Sequence, residues 1–224
     1  MGNLRTLCWA AALCLLAPSL AASPDTVRFA HFTSDDGLSQ MNVLDIYQDR
    51  HGFIWLATQD GLNRFDGVEF KHYPSTAGPM WQASDGALWI GDRGSGLYRF
   101  DLESGEQIRL GTEHGLADSR ILAIAGDGLT AWVANHSGLD RLDAESRRLD
   151  PIFPGSDGDG AAEAVRDVVL HGDDVLFITD DRLYRRAATG AVAAILDADP
   201  SLGTLNELMV ERGGAVWLGG TGGL

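Results

Sequence analysis

Beyond residue 14 the sequence contains no cysteine, the only two being Cys8 and Cys14 near its start. A chain processed after that point would carry no thiol, which excludes disulfides and cysteine-ligated metal centres. Lysine is almost absent, Lys71 being the single example, and 17 basic residues face 32 acidic ones for a formal charge of −15. Such a surface repels phosphate backbones, so nucleic acid is excluded as a partner, and the charge is read as serving solubility. No apolar run reaches the roughly 20 residues of a membrane-spanning helix.

Catalytic and cofactor signatures are missing too. Gly91-Asp-Arg-Gly-Ser-Gly96 lacks the Lys-Ser/Thr ending of a phosphate loop and reads as a loop between two strands. There is no Gly-x-Ser-x-Gly elbow and no His-Glu-x-x-His. Ser156-Asp-Gly-Asp-Gly160 opens like a calcium loop, but the twelfth position counted from Asp157 is Val168, where a carboxylate is needed. The histidines, at 31, 51, 72, 114, 136 and 171, form no close pair. No catalytic residue, metal site or cofactor is therefore assigned.

What is present begins with a leader. Arg5 precedes the apolar run Leu7 to Leu16, and Pro18 is followed by the small residues Ser19, Ala21, Ala22 and Ser23. This is the pattern of a secretory signal peptide over residues 1–22, with cleavage near 21–23 and export to the periplasm. The mature chain, rich in glycine and 45% apolar overall, reads as globular and dense in turns.

The dominant signal is an internal repeat. Phe53-Ile-Trp55-Leu-Ala-Thr58 recurs around Trp89, Trp132, Phe177 and Trp217, at spacings of 34, 43, 45 and 40 residues. A second landmark follows each anchor: Gly61-Leu62, Gly96-Leu97, Gly138-Leu139, Leu183 without its glycine, and Gly223-Leu224. Upstream stand apolar pairs three apart, Val43/Ile46, Ile121/Ile124, Val165/Val168 and Leu205/Leu208, which the second unit lacks. Each unit reads as four short antiparallel strands joined by Gly-containing turns. The anchor strand is apolar at nearly every position, so both of its faces are covered, and a unit needs a neighbour on either side.

Radial stacking meets that need. The expected fold is all-β, a β-propeller of four-stranded antiparallel blades, incomplete at about four blades plus part of a fifth. The blades fall at about 43–73, 80–110, 120–153, 164–196 and 205–224, within a partial propeller over 27–224. Val27–Thr33 is expected to be an outer strand that completes a last blade. The open faces at either end imply self-association.

Phe32-Thr-Ser-Asp-Asp-Gly-Leu-Ser39, Val43-Leu-Asp-Ile-Tyr-Gln-Asp49, Gly52-Phe-Ile-Trp-Leu-Ala-Thr58 and Asp60-Gly-Leu-Asn-Arg-Phe-Asp66 together resemble the two-component regulator propeller repeat. The resemblance implies an extracytoplasmic ligand-sensing module, in some members for a polysaccharide fragment. It implies full-length relatives that are anchored in the inner membrane and end in a histidine kinase or a diguanylate cyclase. This sequence includes no such membrane helix or output domain, and its short second and degenerate fourth units depart from the pattern.

In such a blade the turns between strands two and three and the connections between blades emerge on one face. Arg93, Asn135 and His136 lie in the first set and His114 and Arg120 in the second, which makes them the ligand-binding candidates. Trp55, Trp89, Trp132, Phe177 and Trp217 are the structural anchors. The expected function is a sensing module that is not itself an enzyme and takes an extracytoplasmic ligand of oligosaccharide type. The alternative is a secreted propeller lyase or glycosidase acting on polysaccharide, since carboxylate pairs drawn from different blades leave no signature in sequence spacing.

Overall fold

The computed structural model describes residues 29–154 and 162–223. The leader and the Ser156–Gly160 stretch lie outside the described residues. The chain divides at His31–Phe32. Residues 29–31 are irregular and exposed, and every described strand lies beyond residue 32.

Among the described residues, four antiparallel four-stranded sheets and one two-stranded sheet follow in chain order. The first holds β1 (Val43–Gln48), β2 (Ile54–Thr58), β3 (Gly61–Phe65) and β4 (Phe70–Tyr73). The second holds β5 (Met80–Gln82), β6 (Leu88–Asp92), β7 (Gly96–Phe100) and β8 (Gln107–Leu110). The third holds β9 (Ile121–Asp127), β10 (Thr130–Asn135), β11 (Gly138–Asp143) and β12 (Arg148–Phe153). The fourth holds β13 (Asp167–His171), β14 (Asp174–Ile178), β15 (Arg182–Arg186) and β16 (Val192–Asp197). The last pairs β17 (Leu205–Val210) with β18 (Val216–Gly220).

Within each sheet the strands lie in sequence order, and the first strands β1, β5, β9, β13 and β17 stand side by side from sheet to sheet. This is a β-propeller of four-stranded antiparallel blades, four complete and part of a fifth. The missing apolar pair of the second unit shows as a first strand only three residues long, with all three buried.

Packing follows one rule. Trp55 points into a cluster with Leu88, Ile90 and Phe100 of the next blade, Trp89 into one with Ala131, Val133 and Leu142, and Trp132 into one with Val175 and Phe177. Trp55 and Trp89 are fully buried, each contributing about 4–6 kcal/mol of apolar burial.

The fourth blade corrects the repeat alignment. Leu62, Leu97 and Leu139 pair with the residue two past each tryptophan, namely Ala57, Gly91 and Ala134. Leu183 pairs with Ile178, which is two past Leu176 and one past Phe177. Leu176 therefore occupies the tryptophan position and faces Leu205 and Leu208, whereas Phe177 faces back toward Trp132. Adjacent strand residues point to opposite sides, so a one-residue slip exchanges the faces.

The landmark glycine has a steric cause. At Gly138 (φ +147°) an added Cβ would lie 1.7 Å from the Phe153 carbonyl oxygen, where the outer strand passes. Residues 29–33 form no strand. Phe32 instead packs on Phe65 and Phe70, ring centroids 5.0 and 5.5 Å apart. No described helix is long and apolar enough to cross a membrane.

Candidate functional site

The five first strands surround a cavity of about 290 Å³. Asp45, Asp167 and Glu207 occupy one repeat position in it, each paired with the residue two past the tryptophan position of its blade: Ala57, Ile178 and Gly219. In blade three that position is Ala123, opposite Ala134. Arg166, beside Asp167, and Arg93, from the β6–β7 turn, line the same cavity together with Tyr47.

Two of the acids also tie neighbouring blades. Asp45 Oδ2 accepts the Met80 N–H at 3.0 Å, and Asp167 Oδ2 accepts the Leu208 N–H at 2.8 Å. Burial raises the Asp45 carboxyl, against the lowering pull of the Ile46 and Met80 amides. Asp167 is pushed up to about 6, chiefly by burial, with the negative charges of Glu207 and Asp45 adding to it. Near neutrality Asp167 can thus carry a proton or give one up, beside Arg93 and an Arg166 that is paired with Asp180.

The Tyr47 hydroxyl accepts the Gln82 N–H at 3.1 Å, leaving its own hydrogen to give. Arg166 Nε donates to Asp180 Oδ1 at 2.5 Å. The lining thus mixes hydrogen-bond donors and acceptors. Among the described residues, no three His, Cys, Asp or Glu side chains gather as a cation site.

The residues expected from sequence divide. Arg93 lines the cavity, and its backbone bridges that of Arg120. The His136 N–H donates to the Arg120 carbonyl at 3.3 Å, so these three form one continuous edge. The Arg120 side chain is engaged by Asp118, with Nε to Oδ1 at 3.0 Å and an Nη2 to Oδ2 contact of 2.6 Å. That guanidinium, aided by Ser137, holds the Asp118 carboxyl down at about 2. His114 stands apart on the blade two to three connection, its Nδ1 accepting the Gly111 N–H at 3.2 Å.

Asn135 is removed from the binding set. It is fully buried, its Nδ2 donates to Asp140 Oδ2 at 2.9 Å, and its Oδ1 accepts the Ser137 N–H at 2.9 Å. Sequence reasoning missed Asp45, Arg166, Asp167 and Glu207. Their signal was present: three of them are acids in the third place of Val43-Leu-Asp-Ile46, Val165-Arg-Asp-Val168 and Leu205-Asn-Glu-Leu208.

The profile of the two-component regulator propeller matches residues 37–60, from the turn before β1 to the turn after β2. Residues 37–60 carry a two-component regulator propeller repeat. A histidine kinase, P4, from Formosa agariphila is 53% identical over 58 residues, covering 26% of this chain and 4% of that protein. The extracellular domain of a hybrid two-component system from B. thetaiotaomicron superposes with a TM-score of 0.70 at 19% identity, over 84% of this chain and 29% of the other. A second such domain from that organism gives 0.58 at 17% identity, over 79% and 30%. These structural likenesses concern the fold. The chain spans 4% of the kinase and 29% and 30% of the two extracellular domains.

Proposed function

We propose that this regulator propeller is the extracytoplasmic ligand-sensing module of a bacterial two-component or cyclic-dinucleotide receptor, and that its ligand is an oligosaccharide held at the cavity between the first strands. The observation that carries the reading is the meeting of Asp45, Asp167 and Glu207, each from a different blade, with Arg93 and Arg166 around one opening. Blades one, two, four and five bring polar side chains to the same space and blade three brings Ala123, which is how a repeat scaffold gains specificity from small sequence changes.

The leader over residues 1–22 would deliver the chain to the periplasm, where such a ligand arrives. Sensing requires differential affinity, because a ligand moves a receptor between two states only as far as it binds one of them more tightly. Asp45 and Asp167 couple binding to the scaffold, since each also holds the first strand of the following blade.

The test is a receptor that carries these blades ahead of a kinase or cyclase. Its output should change on adding the recognised oligosaccharide and stop responding when Arg93 and Arg166 are replaced by alanine. Turnover of the oligosaccharide by the purified propeller would refute the reading.

A further inference from the structure

The ligand cavity does not end at the level of its acids. A second cavity, of about 440 Å³, adjoins it further along the first strands, and Tyr47, Met80 and Ile124 line both. Strand β9 runs past the two without a break: Leu122, Ala123 and Ile124 line the first, and residues 124–128 line the second. At about 3.3 Å per residue, that stretch makes a wall about 20 Å long.

Register explains why the wall is open at blade three. Met80 and Gln82 stand opposite the residues one past and one before Trp89, and their N–H groups are taken by Asp45 Oδ2 at 3.0 Å and by the Tyr47 hydroxyl at 3.1 Å. Ile124 and Gly126 hold the same two places in blade three, opposite Val133 and Ala131. The blade-two residues at the places of Asp45 and Tyr47 are Pro79 and Trp81. A proline ring and an indole supply no acceptor, so the Ile124 and Gly126 N–H groups receive none from blade two. The Trp81 indole instead lies so close to Gly126 that an added Cβ would stand 2.6 Å from it. Opposite the tryptophan position the first strands carry Tyr47, Trp81, Ala125 and Val169 in turn. The drop from two aromatic residues to alanine leaves room at blade three, where Ala125 lines the second cavity.

We infer that the two cavities form one axial groove, and that the oligosaccharide lies along β9 as an extended chain whose hydroxyls bond the main chain at Ile124 and Gly126. The inference rests on the reading of the first cavity as the ligand site. Main-chain donors and acceptors at a regular spacing along a strand suit a polymer of repeating hydroxyl-bearing units. The acids and Arg93 then hold one end of the chain, and the second cavity sets the length that is recognised.

The test is isothermal titration of the purified chain with linear neutral oligosaccharides, from monosaccharide to hexasaccharide within each linkage type. In the linkage type that binds, affinity should rise at least about tenfold from the disaccharide to the longest members. Ala125→Tyr puts at that place the residue that blade one carries there. It should remove the gain of the longer members and leave the disaccharide's affinity unchanged, with the circular dichroism of the parent. Ala125→Leu, a smaller filling, should remove part of the gain. Affinity independent of length, or a loss in both variants that is equal for short and long members, would overturn the inference and leave the ligand site standing. Binding by no member of any series would overturn both.

Discussion

The indole Nε1 of Trp55 donates to Asp49 Oδ2 at 2.8 Å in the interior of blade one. The other oxygen of Asp49 takes the N–H groups of His51 and Phe53 at 2.9 and 3.0 Å, so one carboxylate holds both the anchor and the turn before it. Blade five keeps a weaker version, Trp217 to Glu211 at 3.4 Å on an exposed face. Blade two has Ala83 at this place, and the buried Trp89 Nε1 has no partner there.

Asp49→Ala should therefore cost about 2–4 kcal/mol, because it leaves buried donors unpaired. Glu211→Ala should cost less than about 1 kcal/mol. Urea denaturation of the two variants beside the parent measures the difference, and equal losses would contradict the assignment.

Asp140 is fully enclosed, with its Oδ1 unpartnered, and burial pushes its carboxyl up to about 6. A raised carboxyl means that the fold favours the protonated form. The benefit is full below the ordinary value near 4 and is lost as pH rises through about 6, leaving up to about 3 kcal/mol of strain at neutrality. Asp140→Asn should raise the melting temperature at pH above 7 and do so much less at pH near 4.5. A gain of the same size at both would mean that ionisation of Asp140 is not its source.

Gly138→Ala should destabilise by about 3 kcal/mol or more, since it adds a Cβ against the Phe153 carbonyl at a left-handed φ. Gly128→Ala, at φ +62° with nothing within 4 Å, should cost only about 1 kcal/mol. Thermal melts of the pair separate crowding from backbone strain.

The fold was legible because tryptophans and glycine-leucine landmarks recur at a blade's length. It misled at blade four, where Val175-Leu-Phe-Ile178 is apolar throughout and the aromatic residue drew the alignment one place too far. Spacing was the better guide: Trp55 to Leu62 and Trp132 to Leu139 are each seven residues, as are Leu176 and Leu183, with Trp89 to Leu97 at eight. Phe177→Ala should accordingly loosen the packing against Trp132, at about 3–5 kcal/mol.

The site was half legible. Loop position suggested Arg93, which lines the cavity, but not that Asn135 turns inward to Asp140 or that Arg120 is already engaged by Asp118. The cavity acids were hidden between the very apolar pairs that marked the repeat. Convergence of Asp45, Asp167 and Glu207 depends on the ring, which brings together residues more than a hundred positions apart.

The most direct test of the central claim is isothermal titration of the purified chain with a panel of soluble neutral oligosaccharides. The account predicts saturable binding by at least one of them, abolished by Arg93→Ala combined with Arg166→Ala and unchanged by His114→Ala. Binding that survives the double substitution, or none across the panel, would contradict it.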